Sequence, residues 1–129
     1  MSELIAGAGE RAHEEDDIQR DVVTFLRWAL PADAEYCHIP NGGQRHKRAA
    51  ARLVGLGLRA GMPDLLVVHQ GRALFIELKA PGGVLSSVQR QVIRKLKYCG
   101  CLVELCRSVP EVERVLVDAG LRLRGRVSA

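Results

Sequence analysis

Pro63-Asp64-Leu65-Leu66-Val67-Val68-His69-Gln70-Gly71-Arg72-Ala73-Leu74-Phe75-Ile76-Glu77-Leu78-Lys79 contains two β-rich runs joined by a short polar turn. Leu65–His69 and Ala73–Lys79 carry the branched and aromatic residues that suit a pleated surface, and Gln70-Gly71-Arg72 supplies a turn glycine, so a β-hairpin is expected. Leu65 to Val68 is apolar at every position, the pattern of a strand covered on both faces and central in its sheet. Alternation along Ile76-Glu77-Leu78-Lys79 puts Ile76 and Leu78 on one face and Glu77 and Lys79 on the other, about 7 Å apart. A turn at 70–72 pairs positions whose numbers sum to about 142, and an offset of one or two residues brings Asp64 beside Glu77 and Lys79. Two carboxylates and a lysine then meet at one end of a sheet.

The flanking sequence supplies the other elements. From Glu10 to Leu30, Ile18, Val22, Phe25, Leu26 and Ala29 recur at helical spacing, and Pro31 ends the helix. Tyr36–Ile39 reads as a short strand closed by the turn Pro40-Asn41-Gly42-Gly43, and Gln44–Leu56 as a basic helix with Gly57 at its C′ position. Ser86-x-x-Gln89 is a capping box that opens a helix to Tyr98, which Gly100 closes. Cys101–Cys106 is the last strand, and Ser108-x-x-Glu111 is a second capping box opening a helix that runs to Gly120. The expected class is α/β, in the order α-β-α-β-β-α-β-α. The alternating tail Leu121-Arg-Leu-Arg-Gly-Arg126 reads equally as an edge strand, a phosphate-contacting arm or a frayed end.

At 129 residues the chain is expected to form a single domain, 1–129, with 1–9 and 121–129 disordered or peripheral. Hydrophobic residues at 47% and charged residues at 26% are near globular averages and exclude disordered and fibrous classes. The longest aliphatic run, Leu65–Val68, is far short of the roughly 20 residues of a membrane helix, and the N-terminus is acidic where a secretory signal is basic. A soluble, cytoplasmic protein without membrane or nucleotide-cofactor binding is therefore expected. Cys37, Cys99, Cys101 and Cys106 form no C-x-x-C pair, which favours small buried hydrophobes over a zinc cluster.

The net charge of +4 hides a steep asymmetry: residues 42–97 hold eleven Lys and Arg against two acids, Asp64 and Glu77. A dense basic surface attracts polyanions, because neutralising phosphates releases condensed counterions. Solvated helix faces would account for the basic run alone. They give no reason for the two acids inside it to be the pair that the hairpin brings together.

A paired aspartate and glutamate suit Mg²⁺, which prefers oxygen ligands and usually needs one or two carboxylates besides waters and substrate phosphate. Such an ion acidifies water and polarises a phosphoryl oxygen, and a lysine alongside orients water or offsets charge building on phosphate. The alternative for Glu77 and Lys79 is a strand-end salt bridge. On the first helix, Glu15 falls within the arc of Ile18, Val22 and Leu26, where a carboxylate is costly unless paired or metal-bound. Its position near the helix start also allows a partly solvated carboxylate favoured by the helix dipole. Gln19, one turn on, sits at the rim of the stripe.

Glu15-x-x-x-Gln19, Ile39-Pro-Asn-Gly-Gly43, Gly61-Met-Pro-Asp64, Phe75-Ile-Glu77-Leu-Lys79 and Leu85-Ser-x-x-Gln89 follow one another in an order and at intervals that resemble the VRR-NUC nucleases. These belong to the PD-(D/E)XK superfamily, with the restriction-endonuclease-like fold. The resemblance runs from about Glu14 to Cys106. It implies a mixed central sheet flanked by helices and Mg²⁺- or Mn²⁺-dependent hydrolysis of DNA phosphodiesters. Carried over by position, it implies that Asp64, Glu77 and the Leu78 carbonyl hold the metal, that Lys79 is the catalytic lysine, and that Glu15 completes the site directly or through water. It also places Gln89 near the active site, a role compatible with its capping box. Asn41, Gly42 and Gly43 match a loop of the family, for which a plain turn is the other reading; Arg45, Lys47 and Arg48 after it suit phosphate contact, and Gln19 is similar in kind. His38 and His46 are left outside the site.

Stand-alone members of this family resemble homodimers that cut branched DNA such as four-way junctions, a two-fold substrate that suits a two-fold protein. The chain is expected to be stand-alone, a homodimer, and to serve repair, recombination or phage replication. The competing reading is a non-catalytic DNA-binding or assembly module that keeps the nuclease fold. RNA is disfavoured as substrate, since the five aromatics, Phe25, Trp28, Tyr36, Phe75 and Tyr98, form no stacking platform.

Overall fold

The computed structural model describes residues 7–40 and 47–128. Eight elements appear in the expected order: α1 (Ala8–Ala29), β1 (Ala34–His38), α2 (Lys47–Gly55), β2 (Leu65–His69), β3 (Arg72–Leu78), α3 (Ser87–Tyr98), β4 (Leu102–Cys106) and α4 (Val109–Asp118). The four strands form one sheet in the order β1-β2-β3-β4. β1 and β3 both run antiparallel to β2. β3 reaches β4 through α3, the kind of crossover that a parallel neighbour requires, and the sheet is mixed.

The β2–β3 turn is one residue tighter than its sequence suggests. His69 pairs with Arg72, which leaves Gln70 and Gly71 alone in the loop, with φ of 51° and 75°. Positive φ at both central residues matches the right-handed twist of the flanking strands, at the cost of placing a glutamine in the left-handed region. β2 is central as expected, but its two faces differ. Leu65, Val67 and His69 are buried, whereas Val68 is 40% exposed, so the strand is fully covered on one face only.

The chain groups into two compact units: Met1–Asp33, Leu78–Val84 and Leu105–Ala129 form one, and Ala34–Glu77 with Leu85–Glu104 form the other. In the first, α1 and α4 pack together, and Val22, Phe25, Leu26, Val112 and Leu116 are buried. Removing a side chain of this size from water contributes about 1.5–3 kcal/mol. Phe25 and Trp28 meet edge to face at a centroid distance of 5.0 Å. In the second unit Leu65, Val67, Leu74, Phe75, Ile76 and Val103 are the buried apolar set. α3 has the capping box that its sequence announces. Gln89 N donates to Ser86 Oγ at 3.1 Å, and Gln89 Oε1 accepts from Ser86 N at 2.9 Å. At α4, Ser108 caps Glu111 N, but the Glu111 carboxylate accepts from Arg107 N instead of closing the reciprocal bond.

The described residues after α4, 119–128, have no regular secondary structure, yet several of them are tied down by hydrogen bonds. Arg124 N donates to the Ala29 carbonyl at 2.7 Å and its guanidinium to the Arg27 carbonyl at 3.1 Å, satisfying acceptors that the end of α1 leaves open. Glu113, 2% exposed on α4, accepts from Ser128 Oγ and from the Val127 and Ser128 backbone, and pairs with Arg126 at 3.1 Å. Burial pushes this carboxyl up, but the hydrogen bonds outweigh it and bring its pKa down from 4.5 to about 2. A folded-state pKa below the unfolded one stabilises the fold above pH 4.5, and the contribution disappears as pH falls from 4.5 toward 2. Thermal melts of wild type and Glu113→Gln are therefore expected to differ by a constant gap near neutral pH that closes as pH approaches 2. A gap unchanged down to that pH would show that the Glu113 charge does not hold the tail.

Candidate active site

The second unit brings Asp64, Glu77 and Gln89 together. Leu65 pairs with Ile76 at the end of the β2–β3 ladder, and Asp64 and Glu77 adjoin that pair in the chain. Asp64 is half-buried, and Glu77 is only 2% exposed. The loop before Asp64 is shaped by close packing. Gly61 has φ of 87°, and a Cβ there would lie 2.7 Å from Val88 Cγ1 and 2.9 Å from the Val88 carbonyl oxygen. Glycine thus lets Gly61-Met-Pro-Asp64 lie against α3, which carries Gln89. The Gln89 side chain serves two partners: its oxygen closes the capping box, and its Nε2 donates to Glu77 Oε2 at 3.2 Å.

Asp64 is also fixed from β1. Its carbonyl accepts from Ile39 N at 2.7 Å and lies 2.8 Å from His38 Nδ1. His38, which sequence reasoning leaves out of the site, is thus a neighbour of Asp64. The signal for it lies in the β1–β2 register, where His38 faces Leu65.

The first unit brings Glu15 and Lys79 together around Gly83. Lys79 follows the last residue of β3, Leu78, and its backbone N donates to Cys106 O at 3.1 Å, extending the strand pairing. Ala80-Pro81-Gly82-Gly83 is a turn closed by Gly83 N to Ala80 O at 2.9 Å, with Pro81 presetting φ and Gly82 at φ 79°. A Cβ on Gly83 would lie 3.1 Å from Ala80 O, 3.5 Å from Glu15 Oε1 and 3.6 Å from Lys79 Cδ. The tight approach is to the Ala80 carbonyl, while the Glu15 carboxylate and the Lys79 stem lie at ordinary contact distance from the same point. Glu15 is half-buried on the α1 stripe as expected, whereas its neighbours Glu14 and Asp16 are exposed. Arg11, Glu15, Lys79, Gly82, Gly83 and Val84 line an open cleft of about 340 Å³. Arg107, absent from the sequence-derived site, donates from Nη1 to the carbonyls of Ala80 at 2.7 Å and Gly83 at 2.8 Å and so fixes the turn.

Gln19 is half-buried and lines a separate groove along α1 with Asp16, Arg20, Val23, Thr24 and Arg27. Lys47 and Arg48 are the first residues of α2. Asn41, Gly42, Gly43, Arg45 and His46 lie outside the described residues. Of the cysteines only Cys106 is buried; Cys37 and Cys99 are exposed and Cys101 is intermediate, so packing accounts for one of the four. None of the four forms a disulfide.

Among the described residues no group of three or more His, Cys, Asp and Glu side chains gathers as a metal cluster. The candidates are instead the Asp64 and Glu77 carboxylates, oxygen donors of the kind that Mg²⁺ or Mn²⁺ takes with waters and phosphate. A buried carboxylate such as Glu77 is costly unless a hydrogen bond, a cation or a proton offsets its charge. The donor chemistry fits the ion.

The sequence profile of the VRR-NUC domain matches residues 14–110. A solved structure described as "VRR_NUC domain protein" is similar at a TM-score of 0.61 and 22% identity, covering 80% of this chain and 84% of that one. No curated protein matches the chain. The mixed four-stranded sheet flanked by helices is thus an α/β architecture of the restriction-endonuclease-like type.

Proposed function

Because the chain belongs to the VRR-NUC domain family, a family of nuclease domains with DNA as substrate, we propose that it is a Mg²⁺- or Mn²⁺-dependent endonuclease that hydrolyses phosphodiester bonds in branched DNA such as four-way junctions. The observation that supports this reading is the end of the β2–β3 ladder, where Leu65 pairs with Ile76 and the adjoining residues are Asp64 on one strand and, on the other, a buried Glu77 bonded by Gln89. Asp64, Glu77 and the Leu78 carbonyl are the groups that would hold the ion. When bound, it supplies Lewis-acid polarisation of a phosphoryl oxygen and eases deprotonation of water. Gln89 orients the Glu77 carboxylate. Lys79, with Glu15 beside it, aligns water and offsets negative charge on the phosphate as it builds. Asn41, Gly42, Gly43, Arg45, Lys47, Arg48 and Gln19 contact DNA outside the reacting centre.

We further propose that the residues from 1 to 129 act as one nuclease domain and as a homodimer in the cytoplasm, in repair, recombination or phage replication. Among the described residues no helix is long and apolar enough to cross a membrane. The test is a cleavage panel of linear, flapped, single-stranded and four-way-junction DNA in Mg²⁺, Mn²⁺ or EDTA, with gel filtration of the protein. Nicking of junctions ahead of matched duplex, abolished by EDTA, from a dimeric species is the expected result. Salt-sensitive binding with no turnover in either metal would make the chain a DNA-binding module instead.

A further inference from the structure

We propose that the outer face of α3 is a phosphate track along which DNA lies as it reaches the Asp64–Glu77 pair; the inference rests on the nuclease reading and names the surface that holds its substrate. At roughly 100° per residue, Arg90, Arg94 and Lys97 fall within one arc of about 60°, and all three are exposed. Gln89, Val92, Ile93 and Leu96 turn to the other side and are partly buried. One helix therefore presents a cationic row outward while Gln89, adjacent to the first of those cations, donates to Glu77 at 3.2 Å.

The row is unusual in having one sign of charge. No Asp or Glu occurs between Glu77 and Glu104, so α3 has none of the acids at i±3 or i±4 that lace a solvated helix face with ion pairs. Arg94 and Lys97 have no ion-pair partner among the described residues. Arg90 gives one N–H to the Leu85 carbonyl at 2.8 Å, which seats its guanidinium over the first turn. Seven residues of helix rise by about 10 Å, and each DNA strand carries a phosphate about every 3.4 Å of axis, so three cations face about three phosphates. Uncompensated cations repel one another, and neutralisation by a polyanion relieves that repulsion while releasing counterions. An acidic protein would satisfy charge as well, but the row's regular spacing and single sign of charge favour the nucleic-acid backbone.

The test is equilibrium binding of fluorescently labelled four-way junction and duplex in EDTA, across a salt series, for wild type, the triple variant Arg90→Gln/Arg94→Gln/Lys97→Gln, and Lys95→Gln as a control off the row. The expected result is about 10²-fold weaker binding by the triple variant at low salt, a slope of log affinity on log salt shallower by about 2–3, and little change for Lys95→Gln. Melts equal to wild type exclude misfolding, since all the substituted residues are exposed. A triple variant that binds both DNAs as wild type does, with the same slope, overturns the proposal and leaves the nuclease reading standing. Failure of the wild type to bind any of the DNAs removes both, and the unsubstituted protein alone reveals that outcome.

Discussion

Glu77→Gln and Asp64→Asn are each expected to lower metal-dependent DNA cleavage by about 10³-fold or more, while leaving the fold and DNA binding in place. Both changes keep side-chain shape and remove charge. The Glu77→Gln amide oxygen can still accept from Gln89 Nε2, which now bonds Oε2 at 3.2 Å, so the contact with α3 survives. What is lost is one of two anionic ligands, and with it affinity for a hard divalent cation. DNA affinity measured in EDTA is expected to stay level or to rise slightly, because negative charge has left a basic surface. The two substitutions serve one ion, so the double variant is expected to be no slower than the worse single one. Single-turnover cleavage over a Mg²⁺ titration checks all of this. Full activity of Asp64→Asn would remove Asp64 from the reaction, and equal loss of DNA binding in EDTA would assign the effect to folding.

The parts of this molecule that were legible in its sequence are those written in local chemistry. The capping box Ser86/Gln89, the turn glycine at Gly71 and the stripe Val22–Phe25–Leu26–Ala29 each fix an element through neighbours a few residues away, and the order of elements follows from them. Glu15 was legible in the same way, because helical spacing alone places it on the inward face. The register of the hairpin depended on one residue of loop length. A three-residue turn leaves it ambiguous, and the tight Gln70-Gly71 turn fixes it as Leu65 with Ile76 and His69 with Arg72.

What stayed hidden depends on partners far apart in sequence. Arg107 stands between β4 and α4 with nothing nearby to mark it, and its role comes from carbonyls at Ala80 and Gly83. His38 acquires its position from a strand register with residues 26 apart in sequence. The second use of Gln89 was invisible for a different reason: a capping box accounts for the residue completely, and only the tertiary contact shows its other amide end on Glu77. The exposure of Val68, Cys37 and Cys99 likewise reflects which faces the packing covers, and side-chain hydrophobicity alone does not decide that.

Lys79→Met is expected to cost about 10²–10³-fold in kcat with little change in KM. Lys79 is only 8% exposed, so methionine retains most of the apolar stem and its packing while removing the ammonium. Its backbone N–H, which bonds Cys106 O at 3.1 Å, is unaffected, and the strand end keeps its place. A loss confined to kcat separates charge stabilisation in the transition state from simple DNA binding, which would appear in KM. Glu15 supplies the internal control. Its Oε1 and the Lys79 stem flank the same crowded Gly83 position, 3.5 and 3.6 Å from where a Cβ would stand. If the two act as one unit on the water and the phosphate, Glu15→Gln added to Lys79→Met is expected to lower kcat far less than the product of the single effects. Strict multiplication of the two losses would mean that the lysine and the carboxylate work independently, and a Lys79→Met variant with wild-type kcat would take the lysine out of the chemistry.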